Sequence, residues 1–428
     1  MIALKKRPTG HPLVLDSRVL RPGDHLTTVG LALTEEMQLM RIALLSWETL
    51  HSISVGGVAV HVTELAAALE RKGNEVHVYT RMRWPGDWHH CVIDGVHYHR
   101  CPYSGSADFV EDVNSMCRAF VHAVFATEDY MGAHFDVVHA HDWMSSNAMV
   151  WIKNGRGRKG ILTIHSTEYG RCGNNFYDGP SRRIMDHERH GTFVADRVIT
   201  VSWALKNEIQ WIYNVPDWKA CMVYNGVSLG AFGGREHLDY GEVKQRYDIH
   251  PCAPTVLFVG RVTSQKAPDV LVEAIPLVLA THPSAKFIIS GEGDMRAHVE
   301  GLAHRLGVAH ACRFRGVLPR GELINLYHAV DCVCVPSRNE PFGIVVLEAW
   351  AAKTPVVATH HGGPSEFVWH DVNGFKIWPS PNSVAWGIGS LFANFDHARW
   401  MGHNGRKAVE QAFTWDTIAD HTLGVYHA

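Results

Sequence analysis

The feature that most constrains the fold of this chain is an alternation of short apolar segments with amphipathic ones, and this alternation occurs twice. The first set begins with the apolar segment 41–46, followed by a helix predicted over 58–72, and it continues to a strand predicted over 197–201. A second set runs from 255–260 to 355–359. Short, wholly apolar segments are typical of strands buried on both faces of a parallel sheet. The sequence therefore predicts an α/β fold with two doubly wound domains facing each other across a cleft.

The boundary between the two domains is predicted where the alternation stops. Asn225-Gly226-Val227 and the polar, glycine-rich stretch 230–239 interrupt it. A chain of 428 residues is also too long for one ordinary core. We therefore expect a first domain over 40–229 and a second over 230–412. Residues 1–39 lack periodicity and are expected to form a poorly ordered N-terminal extension.

Composition excludes several classes of partner. The net charge of -3 gives no basic surface for nucleic acid. No apolar run approaches the roughly 20 residues that cross a bilayer, so no transmembrane segment is expected. Nine cysteines, scattered without paired metal-ligand spacing, and no secretory signal favour a cytoplasmic location. The 30 histidines leave a metal site open at this point, with His89-His90, His360-His361 and His139-Ala140-His141 as candidates.

Two carboxylates separated by seven residues follow the strand predicted over 332–336. Glu340 lies in the loop, Phe342-Gly343 begins the next helix, and Glu348 lies about two turns into it. The first N–H groups of a helix lack partners and bind anions, while carboxylates accept hydrogen bonds from hydroxyls. A ligand with phosphates and hydroxyls, such as a sugar nucleotide, fits this arrangement. Alternatively, Glu340 caps the helix and Glu348 is solvated.

Two cations and a glycine pair lie at other strand ends. Arg261 follows Gly260, and Lys266 comes five residues later. A guanidinium fork and an ammonium point charge together suit a diphosphate, although both can also be plain surface cations. Gly56-Gly57 precedes a helix, so its N–H groups can approach an anion without obstruction; it can also be only a turn.

Histidine and aspartate end two further strands. His165 follows a buried strand, and Asp142 follows the strand that contains His139. His139 is expected to point into the core. Asp142 either faces the cleft or caps the following helix.

Together these motifs resemble family 4 retaining glycosyltransferases. The Glu-x7-Glu spacing, the Gly-Arg-x4-Lys element at 260–266, His-Ala-His-Asp-Trp at 139–143 and the Ser-Trp-Glu…Gly-Gly pattern at 46–57 occur in the family's order. The resemblance extends from Arg41 to about Tyr426. Within the family, the sequence is most similar to archaeal and bacterial glycogen synthase-like proteins. The resemblance implies two Rossmann-like domains (GT-B), with the chain's end, 413–428, crossing back to the first domain. The family's Tyr-Pro-Pro is replaced here by Thr-Leu-His at 49–51.

The resemblance also implies roles for individual residues, without a metal or other cofactor. The catalytic residues implied are His165, Arg261, Lys266 and Glu340. The donor-binding residues implied are Gly56, Gly57, Gly291, Phe342, Gly343, Ile344 and Glu348. The acceptor-side residues implied are Asp142, Trp143, Glu168 and Tyr169.

The activity implied is transfer of glucose from UDP-glucose or ADP-glucose to an α-1,4-glucan, with retention of configuration. Three alternatives stay open. One is a family 4 transferase for another sugar or for a small-molecule or lipid acceptor. Another is a nucleotide-sugar 2-epimerase of the same fold, against which the His-Ser-Thr-Glu-Tyr-Gly-Arg element at 165–171 weighs. The third is a catalytically idle regulatory subunit.

Overall fold

Two separate sheets form the framework of the protein. The structure is a computed structural model that describes residues 39–82, 84, 86–87, 89–235 and 237–428. Apart from Leu39, the predicted N-terminal extension lies outside the described residues. The prediction of two doubly wound α/β domains is confirmed, because strands that follow one another through helices pair in parallel in both sheets.

The first sheet has eight strands in the order β3-β4-β2-β1-β5-β6-β7-β8. Its elements are β1 (Arg41–Ser46), α1 (Gly57–Arg71), β2 (Glu75–Arg81), β3 (His90–Ile93), β4 (Val96–Cys101), α2 (Phe109–Met131), β5 (Val137–His141), α3 (Trp143–Arg156), β6 (Lys159–Ile164), α4 (Glu168–Arg171), α5 (Pro180–Val194), β7 (Arg197–Thr200), α6 (Trp203–Tyr213) and β8 (Ala220–Met222).

Central strands are buried on both faces, as their apolar sequences predict. In β1, Ile42 and Leu44 belong to one hydrophobic cluster, while Ala43 and Leu45 belong to another on the opposite face. Alternate side chains of a strand point to opposite faces, so helices must cover both sides of this sheet.

The second sheet has six strands in the order β11-β10-β9-β12-β13-β14. The chain reaches it through α7 (Leu229–Phe232) and α8 (Tyr240–Gln245). Its elements are β9 (Thr255–Val259), α9 (Pro268–Thr281), β10 (Lys286–Ser290), α10 (Arg296–Arg305), β11 (Cys312–Arg315), α11 (Arg320–Ala329), β12 (Cys332–Val335), α12 (Ile344–Ala351), β13 (Val356–Thr359), α13 (Pro364–Phe367), β14 (Gly374–Ile377), α14 (Pro381–Ala393) and α15 (Phe395–Ala412).

The final helix, α16 (Trp415–His427), returns to the first sheet. Its Trp415 and Tyr426 join the hydrophobic cluster that includes Ile42 and Leu44 of β1. The Tyr426 hydroxyl lies 2.6 Å from His139 Nδ1, so His139 is held in the core, as the alternation along its strand predicts. The two crossings between the sheets run side by side, with Val227 paired to Thr414.

One part of the first sheet was not predicted. His90, named above only as a metal candidate, begins β3, which pairs antiparallel with β4 at the sheet edge. The turn between these strands is Asp94-Gly95, with φ of 50° and 78°. An Asp-Gly pair between two strands is a strong hairpin signal, because both central residues need positive φ.

Four histidines meet on this edge: His77, His90, His97 and His99, here called the sheet-edge histidine cluster. His77 Nδ1 lies 2.9 Å from His99 Nε2, and His90 Nε2 lies 3.1 Å from His97 Nδ1. Burial, together with the neighbouring imidazoles, lowers the pKa of His77 to about 4 and that of His99 to about 3. Glu75, 3.2 Å from His77 Nε2, opposes the shift at His77. Protonation of His77 and His99 is therefore unfavourable in the folded protein.

Among the described residues, no helix combines the length and the apolar character needed to span a bilayer.

Candidate active site

The predicted site residues lie where the carboxyl ends of the two sheets' strands meet. Asn339, which follows β12, donates from Nδ2 to Asn174 Oδ1 of the first half at 2.7 Å. Glu366 of α13 accepts from the N–H groups of Trp203 and Ala204 at 3.1 and 2.8 Å. These contacts hold the two halves together on either side of a cleft, the place where doubly wound sheets bind ligands.

An ion pair joins Lys266 and Glu340. Lys266 Nζ donates to both carboxylate oxygens of Glu340, at 2.8 and 2.9 Å. Ser337 adds a third donor at 2.8 Å. Only 6% of Glu340 is exposed, so these donors replace water around its charge. The carboxylate does not cap α12, whose N-cap residue is Gly343.

The backbone of Glu340 is fixed by a glycine loop that precedes α13. Gly363 donates its N–H to the carbonyl of Glu340 at 2.9 Å. Gly362 has φ of 68°, and a Cβ there would lie 2.3 Å from the same carbonyl oxygen. Only glycine allows this approach. The Gly-Gly-x-x-Glu element therefore positions one acid and, through Glu366, ties the halves together.

Arg261 lies at the end of β9 with an exposed side chain. Its guanidinium donates to Gln265 Oε1 at 2.9 Å. The loop after β10 packs closely behind it: Gly291 has φ of 137°, and a Cβ there would lie 1.9 Å from the carbonyl oxygen of Gly260. Gly291 therefore shapes the turn beside Arg261, and only its backbone is available to a ligand.

The N-terminus of α12 faces the glycine pair of the first half. A Cβ at Gly57 would lie 3.3 Å from Ile344 Cδ1, so the two predicted donor segments lie next to each other. Gly343 has φ of 95°. Phe342 is buried in an aromatic cluster with Tyr224 and offers a ligand its backbone rather than its ring.

Glu348 is nearly buried, so the alternative of a solvated helix residue is wrong. It is 8% exposed, and burial raises the pKa of its carboxyl although the Tyr327 hydroxyl donates to it at 2.7 Å. Arg320 lies 3.8 Å from Glu348 and 3.8 Å from Glu64 of α1. The guanidinium of Arg320 thus lies between the two halves, a feature that the sequence did not indicate.

Glu48 supports the glycine pair from behind and was not predicted as a site residue. Its carboxylate accepts the N–H groups of Val55 and Gly56. Burial raises the pKa of Glu48 even though these bonds favour its charged form. The Ser-Trp-Glu element therefore positions the loop that faces Ile344.

Asp142 holds the backbone at His165 instead of capping α3. Its Oδ1 accepts the His165 N–H at 2.7 Å, and no side-chain cap bond to α3 is formed. Burial raises the pKa of Asp142. Asp142 is therefore a positioning residue in this structure, acting through the backbone of His165.

His165 lies against two further histidines, His61 of α1 and His141 of β5, here called the histidine triad. His165 Nε2 lies 3.1 Å from His141 Nδ1, and the His61 and His165 ring centroids are 4.5 Å apart. Burial lowers the pKa of His165 to about 3. His61 was quoted in the glycine-pair motif without a role, because a histidine on a helix gives no sign of its spatial neighbours.

The remaining acceptor-side residues differ in accessibility. Trp143 is buried against Phe109, so its ring offers an acceptor no surface. Glu168 forms an ion pair with Arg171 at 3.0 Å. Tyr169 packs with exposed aromatic rings, as described below. Of these three residues predicted on the acceptor side, Trp143 and Glu168 are buried and Tyr169 is partly exposed.

Comparison with known proteins finds relatives of both halves of the chain. Residues 55–230 match the family described as Glycosyltransferase Family 4, and residues 240–408 match Glycosyl transferases group 1. An uncharacterized glycosyltransferase of Methanocaldococcus jannaschii is 36% identical over 394 residues, with 90% of this chain and 98% of that protein covered. A D-inositol 3-phosphate glycosyltransferase of Actinosynnema mirum is 32% identical, with coverage of 87% and 92%. A glycogen synthase of Mycobacterium tuberculosis is 28% identical, with coverage of 91% and 95%.

Solved structures share the fold at lower identity. Sucrose-phosphate synthase from Thermosynechococcus elongatus superposes with a TM-score of 0.77 at 24% identity, covering 91% of this chain and 98% of that one. The catalytic domain of Arabidopsis thaliana starch synthase IV, bound to ADP and acarbose, gives 0.75 at 16%, covering 91% and 99%.

The fold and the matches define a transferase with two Rossmann-like domains of the GT-B type. This chain belongs to the family 4 glycosyltransferases.

Proposed function

We propose that the protein transfers a hexose from a nucleotide sugar to an acceptor hydroxyl with retention of configuration and without a metal. The observation that carries the proposal is the placing of two cations where the halves meet. Lys266 is bonded to Glu340, and Arg261 interacts electrostatically with both Glu340 and Asp142, the residue of the other half that holds the His165 backbone. This arrangement supplies positive charge for a diphosphate and a histidine for the sugar.

The reaction breaks the bond between the anomeric carbon and a phosphate oxygen. Negative charge then develops on the diphosphate, and fixed cations stabilise it more effectively than mobile water does. Lys266 and Arg261 serve this purpose in our proposal. The acceptor oxygen attacks from the face that the diphosphate leaves, and its proton passes to the departing phosphate oxygen. This scheme needs positioning of the acceptor but no nucleophilic side chain.

The two acids hold the donor's hydroxyls in this proposal. Glu340 contacts the transferred sugar and shares Lys266 with the diphosphate. Glu348, eight positions later along the chain, contacts the ribose. Its nearly buried carboxylate is ready to accept hydroxyl hydrogen bonds, which are stronger to a charged acceptor than to a neutral one. His165 contacts the sugar, while Asp142 fixes its backbone.

The donor proposed is UDP-glucose or ADP-glucose. A structure of the Anabaena protein HepE in complex with UDP-glucose matches this fold with a TM-score of 0.72 at 18% identity, covering 89% of this chain and 97% of that one. The starch synthase structure contains ADP. We extend both nucleotides to this chain as candidates.

An aromatic surface beside the cleft favours a glycan acceptor, and an α-1,4-glucan is the leading candidate. Tyr169, Phe176 and Trp211 form a cluster with ring centroids 4.8 to 6.0 Å apart. Phe176 and Trp211 are exposed, and with Arg182 and Arg189 they line a cavity of about 370 Å³. Pyranose rings stack their flat apolar faces on such rings, while charged neighbours bind the hydroxyls at the ring edge.

A phosphorylated polyol is the second candidate acceptor. Several relatives are D-inositol 3-phosphate glycosyltransferases, at identities equal to or above that of the glycogen synthase. The guanidinium groups of Arg182 and Arg189 beside the same cavity suit a phosphate.

Release of free nucleotide from a panel of donors, with and without acceptor, tests the proposal. UDP-glucose and ADP-glucose are each combined with maltoheptaose, glycogen or D-inositol 3-phosphate. We expect acceptor-dependent release with one donor, and a product whose new bond has the donor's α configuration by NMR. Interconversion of the donor without acceptor would instead identify an epimerase. No release with any pair, from a protein that binds UDP or ADP, would contradict catalysis and favour a regulatory role.

A further inference from the structure

Two buried nitrogens of the histidine triad have no hydrogen-bond partner among the described residues. They are Nε2 of His61 and Nε2 of His141, and both side chains are at least nine-tenths buried. The other nitrogen of His61, Nδ1, lies 2.7 Å from Asn225 Oδ1. An amide oxygen only accepts, so Nδ1 carries the proton and Nε2 carries a lone pair. A buried lone pair without a donor is costly unless something else binds there.

The three rings of the triad pack together, with the His61 ring centroid 4.5 Å from that of His165 and 5.2 Å from that of His141. One ring nitrogen from each of His61, His141 and His165 can be chosen so that all three lie within 4.8 Å of one another. His141 Nδ1 and His165 Nε2 are 3.1 Å apart. With metal–nitrogen bonds of about 2.0–2.1 Å, a tetrahedral zinc ion needs its ligand nitrogens about 3.3 Å apart. The largest separation among the three nitrogens thus exceeds this spacing by at most about 1.5 Å, and the rings must move inward by that amount to share an ion.

The chemistry of the triad selects a class of ion. Imidazole nitrogens suit zinc, copper and nickel, whereas magnesium and calcium prefer oxygen ligands. Burial lowers the pKa of all three imidazoles, so each is neutral at pH 7 and has a lone pair to donate. Asn225 also supplies the kind of outer partner that orients a ligating histidine, because its carbonyl accepts the Nδ1 proton of His61.

We propose that His61, His141 and His165 form a site for one divalent transition-metal ion of the zinc type, and that the bound ion inhibits sugar transfer. The half-buried His165 gives the ion access from the cleft. Inhibition follows because His165 cannot bind the ion and contact the sugar at once. This second part rests on the proposed function, whereas binding of the ion does not.

Metal binding is tested on the full-length protein after treatment with chelator. Zinc affinity is measured by competition with a chelating indicator, and Co²⁺ binding by its visible absorption bands. We expect one equivalent of zinc and an intense Co²⁺ spectrum typical of tetrahedral sites. His61→Gln and His141→Gln are each expected to weaken zinc binding by about a hundredfold or more, since loss of only an outer partner costs about 10- to 100-fold.

A matched control is available because the chain has another group of histidines. His97→Gln alters the sheet-edge histidine cluster and is expected to leave the tight site intact. The proposal is overturned if the His61→Gln and His141→Gln proteins bind zinc as tightly as the wild type. Thermal unfolding shows that each variant is folded, because a folded variant has the same unfolding transition as the wild type. The proposal is also overturned if the single tight site is lost in His97→Gln.

Inhibition is tested separately. Zinc is expected to abolish nucleotide release at the concentrations at which it binds, EDTA to restore it, and Mg²⁺ at the same concentration to have no effect. A zinc-loaded enzyme that transfers sugar at the metal-free rate overturns the inhibitory part. If the metal-free protein transfers no sugar from any donor, the proposed function fails, while the indicator and Co²⁺ measurements still decide the metal site.

Discussion

Replacement of Lys266 by alanine is expected to damage both catalysis and stability. Lys266 lies on a loop, a position from which sequence alone predicts little effect on folding. In the structure, however, it supplies two of the three hydrogen bonds that satisfy the Glu340 carboxylate. Lys266→Ala therefore removes the proposed diphosphate cation and leaves a nearly buried carboxylate with Ser337 as its remaining donor.

The size of the stability loss follows from the exposure of the two partners. Breaking a buried ion pair costs about 3–5 kcal/mol, and a hydrogen bond to a charged group contributes about 1.5–3 kcal/mol. The Lys266 side chain is 22% exposed, so water replaces part of what is lost. We therefore expect a loss of about 2 kcal/mol, or about 4–8 °C in the melting temperature of a domain of this size. Turnover is expected to fall about 100-fold or more, as it does when an electrostatic donor is removed.

The double variant Lys266→Ala/Glu340→Gln separates the two effects. Neutralising Glu340 removes the uncompensated charge, so the melting temperature is expected to recover in part while turnover stays low. Thermal unfolding and steady-state nucleotide release on the wild type, both single variants and the double variant form a complete cycle. Wild-type turnover in Lys266→Ala would refute the diphosphate assignment. A double variant no more stable than Lys266→Ala would refute the argument from the buried carboxylate.

Four further predictions follow from other parts of the structure. Glu348→Ala is expected to raise the donor KM about 10- to 100-fold with a smaller change in kcat, because a hydrogen bond to a charged acceptor is lost; an unchanged KM speaks against the ribose contact. Transfer is expected to survive exhaustive EDTA treatment, and loss that Mn²⁺ or Mg²⁺ restores points to a metal-dependent mechanism. In the folded protein the pKa values of His77 and His99 lie below the unfolded value near 6.5. The stability that these two neutral side chains contribute is therefore fully present above pH 6.5, and it is lost as the pH falls towards about 4 for His77 and about 3 for His99. Urea unfolding is expected to show a loss of about 1 kcal/mol or more per pH unit in this range, reduced in a His77→Gln/His99→Gln protein. Deletion of residues 413–428 is expected to abolish cooperative unfolding, and a soluble deletion protein with the wild-type melting temperature contradicts this.

The sequence placed its motifs at strand ends, and the structure has Arg261 just after β9 and Glu340 just after β12. Parallel strands of one sheet present their carboxyl ends at one edge, so Arg261, Lys266 and Glu340 had to lie near one another. The direct Lys266–Glu340 pair was not predicted. It depends on β9 and β12 being neighbours, which is a property of the strand order and not of either segment.

Other features were missed because they depend on packing. The rings of Trp143 and Phe342 are buried, which spacing along the chain cannot show. The assembly of the histidine triad from α1, β5 and the end of β6 likewise needs three separate segments in place. The β3–β4 hairpin, by contrast, carried a local Asp-Gly signal and was predictable.

The position of α16 has a consequence for biosynthesis. α16 packs on α1 and shares a hydrophobic cluster with β1, which are among the first described segments to leave the ribosome, whereas α16 is the last described segment. Residues 72–414 must be translated in between, which takes about 17–70 s at about 5–20 residues per second. During that time the amino-terminal half presents an uncovered apolar surface, a target for chaperones. A chain that stops before α16 therefore leaves this apolar surface uncovered and is expected to aggregate rather than to form a smaller functional protein.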